Sequence, residues 1–68
     1  MDREIVRRPD GVYEERFDAL WIAEYAKDPE NGLWTVEVFK HDVPEWREEG
    51  YSTLNDCRRD ALAYYDGQ

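Results

Sequence analysis

The chain has 68 residues, with 17 acidic and 9 basic side chains and a net charge of −8. This length leaves room for one domain with one core, predicted over 1–68, and the charge argues against direct binding to nucleic acid or anionic membranes and favours basic partners. A single cysteine excludes an internal disulfide, so we expect the ten aromatic side chains to supply the core.

The first predicted elements are two short strands joined by a turn. A Pro-Asp-Gly sequence at 9–11 is a turn signal, because proline fixes φ early in the turn and glycine accepts a positive φ later. We therefore predict a strand over 3–7, a turn over 8–11 and a returning strand over 12–17.

Residues 18–27 are compatible with a strand or a helix. Trp21, Ala23 and Tyr25 alternate as they would in a strand, whereas the alanines of this region favour helix. The turn cluster over 27–32 has the length of a hairpin loop and separates two apolar runs. We favour a strand, with a helix as the alternative.

Residues 33–39 give the clearest strand signal, because they are β-branched or aromatic and they alternate. Trp34, Val36 and Val38 fall on one face, which we predict to be buried, and the other face is mixed. Residues 40–50 are predicted to be a long acidic connection, since Pro44 argues against a central strand and the periodicity of a helix is missing.

A C-terminal helix is predicted to begin after Ser52 or Thr53, since either residue starts a capping pattern with an acid in the first turn. Gly67 is predicted to end the helix in the left-handed conformation. One stripe of the helix is apolar and is predicted to cover the buried face of the sheet: Leu54, Cys57, Ala61, Leu62, Tyr64 and Tyr65. The fold class is therefore α+β, a small antiparallel sheet of three to four strands with one C-terminal helix packed on one face.

Residues with catalytic or metal-binding chemistry are few. His41 is the only imidazole, and Cys57 lies on the predicted buried stripe, where a lone cysteine is usually a small core residue. No phosphate-binding loop or nucleophile motif is present, and the acids of 42–49 lack the spacing of a calcium loop. The sequence therefore predicts a protein that is not an enzyme and has no cofactor and no metal.

The acidic residues are concentrated in one part of the chain. Between residues 10 and 50 there are twelve acids and only four bases. B-form DNA carries one charge per ~1.7 Å of axis, so a domain ~25 Å across would replace about 15 phosphates, a number that twelve acids approach. The residues expected to bind a partner are the acids of the 28–30 turn and of the 42–49 loop, with one aromatic among them: Asp28, Glu30, Asp42, Glu45, Trp46, Glu48 and Glu49.

Two interpretations are open for Trp46, a large aromatic residue that lies within the predicted acidic connection. It is a lid over one end of the helix in the simpler reading. In the other reading it is an exposed anchor for a basic partner, surrounded by carboxylates.

In its size, its acidity and its lack of catalytic residues, the chain resembles small proteins with which phages and mobile elements disable host defence, including anti-CRISPR proteins and DNA mimics. The resemblance implies a monomer or weak dimer that occupies the basic surface of a nucleic-acid-binding protein. No signal peptide or membrane-spanning run is evident, which predicts a cytoplasmic location, in the host cytoplasm if the gene is carried by a phage. Two alternatives are an antitoxin-like or regulatory module that pairs through apolar contacts, and a housekeeping domain whose acidity only confers solubility.

Overall fold

The computed structural model describes residues 4–68, which form five strands and one helix. The elements are β1 (Ile5–Arg7), β2 (Tyr13–Arg16), β3 (Trp21–Lys27), β4 (Trp34–Lys40), β5 (Val43–Tyr51) and α1 (Leu54–Asp66). Consecutive strands pair antiparallel in the order β1-β2-β3-β4-β5, so β1 and β5 are the two edges of the sheet. The helix packs on one face, against β3, β4 and β5. The α+β class is confirmed, but the sheet has five strands where we predicted three to four.

The additional strand, β5, replaces the long acidic connection that we predicted over 40–50, and that prediction was wrong. The turn before it is tight, because His41 and Asp42 both have a positive φ, of 53° and 64°. Two left-handed residues make the turn that joins a two-residue hairpin, and His and Asp are among the residues that tolerate this conformation. Pro44 is accommodated because β5 is an edge strand, where a missing N–H need not break the ladder.

The first three strands follow the predicted pattern. Gly11 N–H donates to the Arg8 carbonyl at 2.9 Å and closes the predicted turn. The strands on either side, β1 and β2, are slightly shorter than predicted, and residue 3 lies outside the described residues. Residues 21–27 form the strand that we favoured, and the helical alternative for this region is excluded.

The core lies between α1 and the face of the sheet that alternation predicted. Val36 and Val38 of β4 are fully buried there, and Trp34 is half-buried at the end of the strand. Cys57 and Ala61 are the fully buried residues of the helix stripe. The remaining members of this core are Trp21, Ala23 and Tyr25, all from β3.

The two ends of α1 differ in how far the sequence predicted them. Thr53 is the N-cap, and its Oγ1 accepts a hydrogen bond from Asp56 N–H at 3.2 Å. Gly67 follows the last helical residue, but its φ of −84° is right-handed, so the predicted left-handed ending is wrong. Its N–H donates to the carbonyls of Ala63 and Tyr64, and this continues the helical pattern through the glycine. Within residues 4–68, no helix has the length and apolar character that a membrane span requires.

Candidate protein-binding surface

Glu15 is an acid that belongs to the core and not to the surface. Its side chain is 0% exposed, and one carboxylate oxygen accepts a hydrogen bond from the Tyr25 hydroxyl at 2.7 Å. Arg58 of α1 approaches the same carboxylate with Nε at 3.2 Å and Nη2 at 3.1 Å. This two-pronged contact raises the pKa of Arg58 through its hydrogen bond with the carboxylate, and it ties the helix to β2.

Arg8 forms ion pairs with three neighbouring acids of the first two hairpins. Its Nη1 lies 3.0 Å from Glu24 and 3.4 Å from Glu14, and its Nη2 lies 3.1 Å from Asp10. Glu14 and Glu24 face each other across β2 and β3, where like charges repel, so the guanidinium between them offsets that repulsion. The Val12 N–H and the Arg8 side chain together lower the pKa of Asp10.

Asp18 fixes the turn between β2 and β3 to the end of α1. Its Oδ2 accepts a hydrogen bond from the Tyr65 hydroxyl at 2.6 Å, and its Oδ1 accepts from the N–H groups of Leu20 and Trp21. These hydrogen bonds lower the pKa of Asp18, with the largest effect from Tyr65. Five acids of the N-terminal half are therefore engaged within the fold: Asp10, Glu14, Glu15, Asp18 and Glu24.

The acids from residue 28 to residue 49 have a different environment. Of the seven acids in this segment, only Glu49 forms an ion pair within residues 4–68, with Arg47 at 3.2 Å. The segment's other base, Lys40, lies over the Trp21 ring, 5.6 Å from its centre. The other six acids form no ion pair among residues 4–68, although Asp28 Oδ1 accepts a hydrogen bond from Glu30 N–H at 2.8 Å. We call them the unpaired carboxylates: Asp28, Glu30, Glu37, Asp42, Glu45 and Glu48.

The residues that we predicted to bind a partner are distributed over two turns and along β5, and they do not form one pocket. Asp42 and Glu45 are exposed at the β4–β5 turn and just after it. At the other end of β5, Asp28 and Glu49 line the same shallow cleft. Glu30 is exposed in the turn between β3 and β4. The register places Glu48 and Trp46 on the helix side of β5, opposite Val36 and Val38.

Trp46 lies in a regular strand and not in the acidic loop in which we had placed it. Its ring is stacked on Tyr64 of α1, with 5.0 Å between centroids and 11° between planes, and it is half-buried against the core. The position matches the simpler reading, a lid over one end of the helix. One border of this lid remains open to solvent at the edge of the sheet.

A second side-chain contact joins β5 and α1 beside this lid. Tyr51 of β5 donates its hydroxyl hydrogen bond to Asp60 Oδ2 of the helix at 2.9 Å. Burial, the hydrogen bond with Asp60 and the nearby charge of Glu48 raise the pKa of Tyr51. Two carboxylates, Glu48 and Asp60, therefore lie on this border together with the Trp46–Tyr64 stack.

The chain's one thiol and one imidazole have different environments. Cys57 is fully buried in the core, and burial raises its thiol pKa to about 11, so the thiol stays protonated at neutral pH. His41 is exposed in the β4–β5 turn. Among residues 4–68, no group of three or more His, Cys, Asp or Glu side chains is placed to hold a metal ion.

The sequence analysis missed two features of the structure, the burial of Glu15 and the Tyr51–Asp60 contact. Only the first had a signal in the sequence. Tyr13, Glu15 and Phe17 alternate on one face of the second strand, so two aromatic neighbours already indicated that Glu15 faces the core. The Tyr51–Asp60 contact had no such signal, since it depends on a strand that was read as a loop.

No family model matches this chain, and neither a curated protein nor a solved structure matches it. The fold and the chemistry of the surface therefore carry the functional inference by themselves. Their most distinctive property is the segregation of paired acids on β1–β3 from unpaired acids around β4 and β5.

Proposed function

We propose that the protein is a small non-catalytic binding protein that occupies a basic, nucleic-acid-binding surface of a partner protein and so blocks it. Inhibitors of this kind are used by phages and mobile elements, among them anti-CRISPR proteins and DNA mimics. The partner would meet a rigid set of carboxylates that takes the place of phosphates.

The observation that carries the proposal is the set of six unpaired carboxylates. An acid that merely stabilises the fold is expected to have a partner within it, as the Arg8 and Arg58 contacts illustrate. Acids without such partners raise the negative potential outside the molecule, which attracts basic surfaces and speeds association with them. Because they are spread over two turns and two strands, they match an extended basic surface better than a single cation.

The proposal can be tested by pull-down from a lysate at low and high salt, with capture challenged by added duplex DNA. We expect a basic nucleic-acid-binding protein that is released by salt, because a contact between exposed charges is screened, and displaced by DNA, because the two ligands share one surface. A partner that is retained at high salt would contradict the proposal and would favour an antitoxin-like or regulatory module held by apolar contacts.

A matched pair of variants then tests the location of the surface. Glu45→Gln with Glu48→Gln removes two of the unpaired carboxylates, and Glu4→Gln with Asp66→Asn removes two exposed acids elsewhere. The two variants have the same net charge. We expect the first to weaken the partner's affinity about fivefold, from ~0.5 kcal/mol per exposed ion pair, and the second to leave it nearly unchanged. Equal losses in both would show that only net charge matters.

A further inference from the structure

β5 is the free edge of the sheet and its longest strand. It has nine residues, Val43–Tyr51, and it pairs only with β4, whereas the opposite edge strand, β1, has three. Within residues 4–68, no backbone group of a loop or turn hydrogen-bonds to β5. Its outward N–H and C=O groups are therefore available to another strand.

The regular part of this edge is short and well defined. The β4–β5 register is shifted between Val38 and Phe39 and again between Trp34 and Thr35, so β5 pairs without interruption only over 46–49. Pro44 lies before this stretch, and Gly50, with a φ of 90°, lies at its end. These features limit the length of any strand that is added, and they make 46–49 its centre.

The side chains at this edge select the charge of an added strand. Glu45, Glu48 and Glu49 are exposed on β5, and the strand's only base, Arg47, is held by Glu49. Asp60 adds a carboxylate on the helix side. A lysine or arginine that passes here gains an ion pair with Glu48 or Asp60, and its aliphatic stem packs against the half-buried Trp46 side chain.

A second copy of the chain does not fit this edge. If two β5 strands paired with each other, the acids of one copy would lie opposite or diagonal to those of the other, and like charges across a strand pair are destabilising. An acidic or neutral strand likewise leaves Glu48 without an ion pair. The edge therefore discriminates by charge against the partners that an open edge would otherwise attract.

We propose that β5 binds an extended, lysine- and arginine-rich segment of the partner as a sixth strand of the sheet. Main-chain hydrogen bonds to 46–49 hold the segment, and its basic side chains contact Glu48, Asp60 and Trp46. This inference rests on the proposed function and adds to it the binding element and the conformation of the ligand.

The experiment uses the whole protein and a nine-residue peptide in which lysine or arginine alternates with threonine. Two further peptides have the same side chains but carry N-methyl groups on every second backbone amide. One is methylated along one edge of the strand, and the other along the opposite edge. Successive amides of a strand point to opposite edges, so only one of the two methylated sets lies on the edge that pairs with β5. We expect one N-methylated peptide to lose at least about tenfold in affinity, which corresponds to ~1.4 kcal/mol, and the other to bind like the parent.

Amide hydrogen exchange provides a second readout that needs no substitution. On binding of the unmodified peptide, we expect exchange to slow at outward-facing amides of 46–49 and to stay unchanged in β1. The inference is overturned if both N-methylated peptides bind as tightly as the parent, if β5 gains no protection, or if the parent peptide does not bind at low salt. In the first two cases a salt-sensitive, DNA-displaced partner would still leave the proposed function standing.

The contribution of the edge acids can be separated from that of net charge. Glu48→Gln and Glu37→Gln each remove one unpaired carboxylate from the interior of a strand, but Glu37 lies on β4 and on the face away from α1. We expect Glu48→Gln to weaken the affinity for the parent peptide about twofold, as for one exposed ion pair, and Glu37→Gln to have a much smaller effect. The reverse order would contradict the placement of the peptide at β5.

Discussion

The two halves of the sheet place the same residue types in different environments. On β1–β3 the carboxylates are held by Arg8 and Arg58 or by the Tyr25 hydroxyl, and one of them is completely buried. On β4, β5 and their turns, six carboxylates have no ion pair within residues 4–68. The difference teaches that the count of acids says little about their role, since what decides the role is where the few arginines lie.

The largest expected effect is on the buried acid of the first half. Glu15→Gln keeps an acceptor for the Tyr25 hydroxyl but removes the charge that balances Arg58. Breaking a fully buried pair costs about 3–5 kcal/mol, and because the Arg58 side chain is 33% exposed and can reach water, we expect a loss of about 2–3 kcal/mol. Urea denaturation measures it. The comparison fails if this variant is as stable as Glu37→Gln, the same change among the unpaired carboxylates.

A smaller effect is expected from Arg8→Gln, which leaves Asp10, Glu14 and Glu24 without their shared cation. Stability should fall, because the two glutamates opposite each other on β2 and β3 then repel without compensation. Since the cluster is partly exposed, the loss should shrink as salt is added. Thermal unfolding at two salt concentrations tests this, and a loss that does not depend on salt would mean that the arginine acts through packing alone.

The pH dependence of stability should also come from the first half. The folded pKa of Asp18 lies below the ordinary value of 3.8, so its contribution is fully present above that value and is lost as the pH falls through the lower folded pKa. We expect Asp18→Asn to be less stable at neutral pH and to lose less stability on acidification than the unchanged protein. Parallel acid titrations followed by circular dichroism compare the two, and equal slopes would contradict the assignment.

The smallest effect on stability is expected in the second half. Glu45→Gln with Glu48→Gln should change the free energy of unfolding by no more than ~0.5 kcal/mol, as is usual for surface substitutions. A slight gain is expected at low salt, because the net charge of −8 becomes smaller. Urea denaturation at two salt concentrations measures it. A loss comparable with that of Glu15→Gln would remove the distinction between the two halves.

The sequence predicted the elements whose pattern is local. The strands β3 and β4 and the apolar stripe of α1 follow from alternation and from helical spacing, and the Thr53 cap follows from its neighbours. The strand β5 was not predicted, because its two register shifts break the alternation. In addition, its turn is made by His and Asp and not by the usual Asn-Gly.

The candidate surface was predicted only in part. The acids of 42–49 are distributed over both faces and both ends of β5, and this distribution depends on register, which no local pattern specifies. The burial of Glu15 depends on Arg58, 43 residues further along the chain. Contacts of this range emerge only when the helix is placed on the sheet.

The position of Cys57 makes its thiol a probe of how often the helix separates from the sheet. Its sulfur is the chain's only thiol, it is sealed between α1 and the sheet, and its raised pKa keeps it unreactive. A thiol reagent therefore gains access only when the helix lifts away, and the rate of labelling reports how often this happens. A ligand that only adds a strand at the β5 edge would not raise the rate of labelling, whereas one that inserts between the helix and the sheet would raise it.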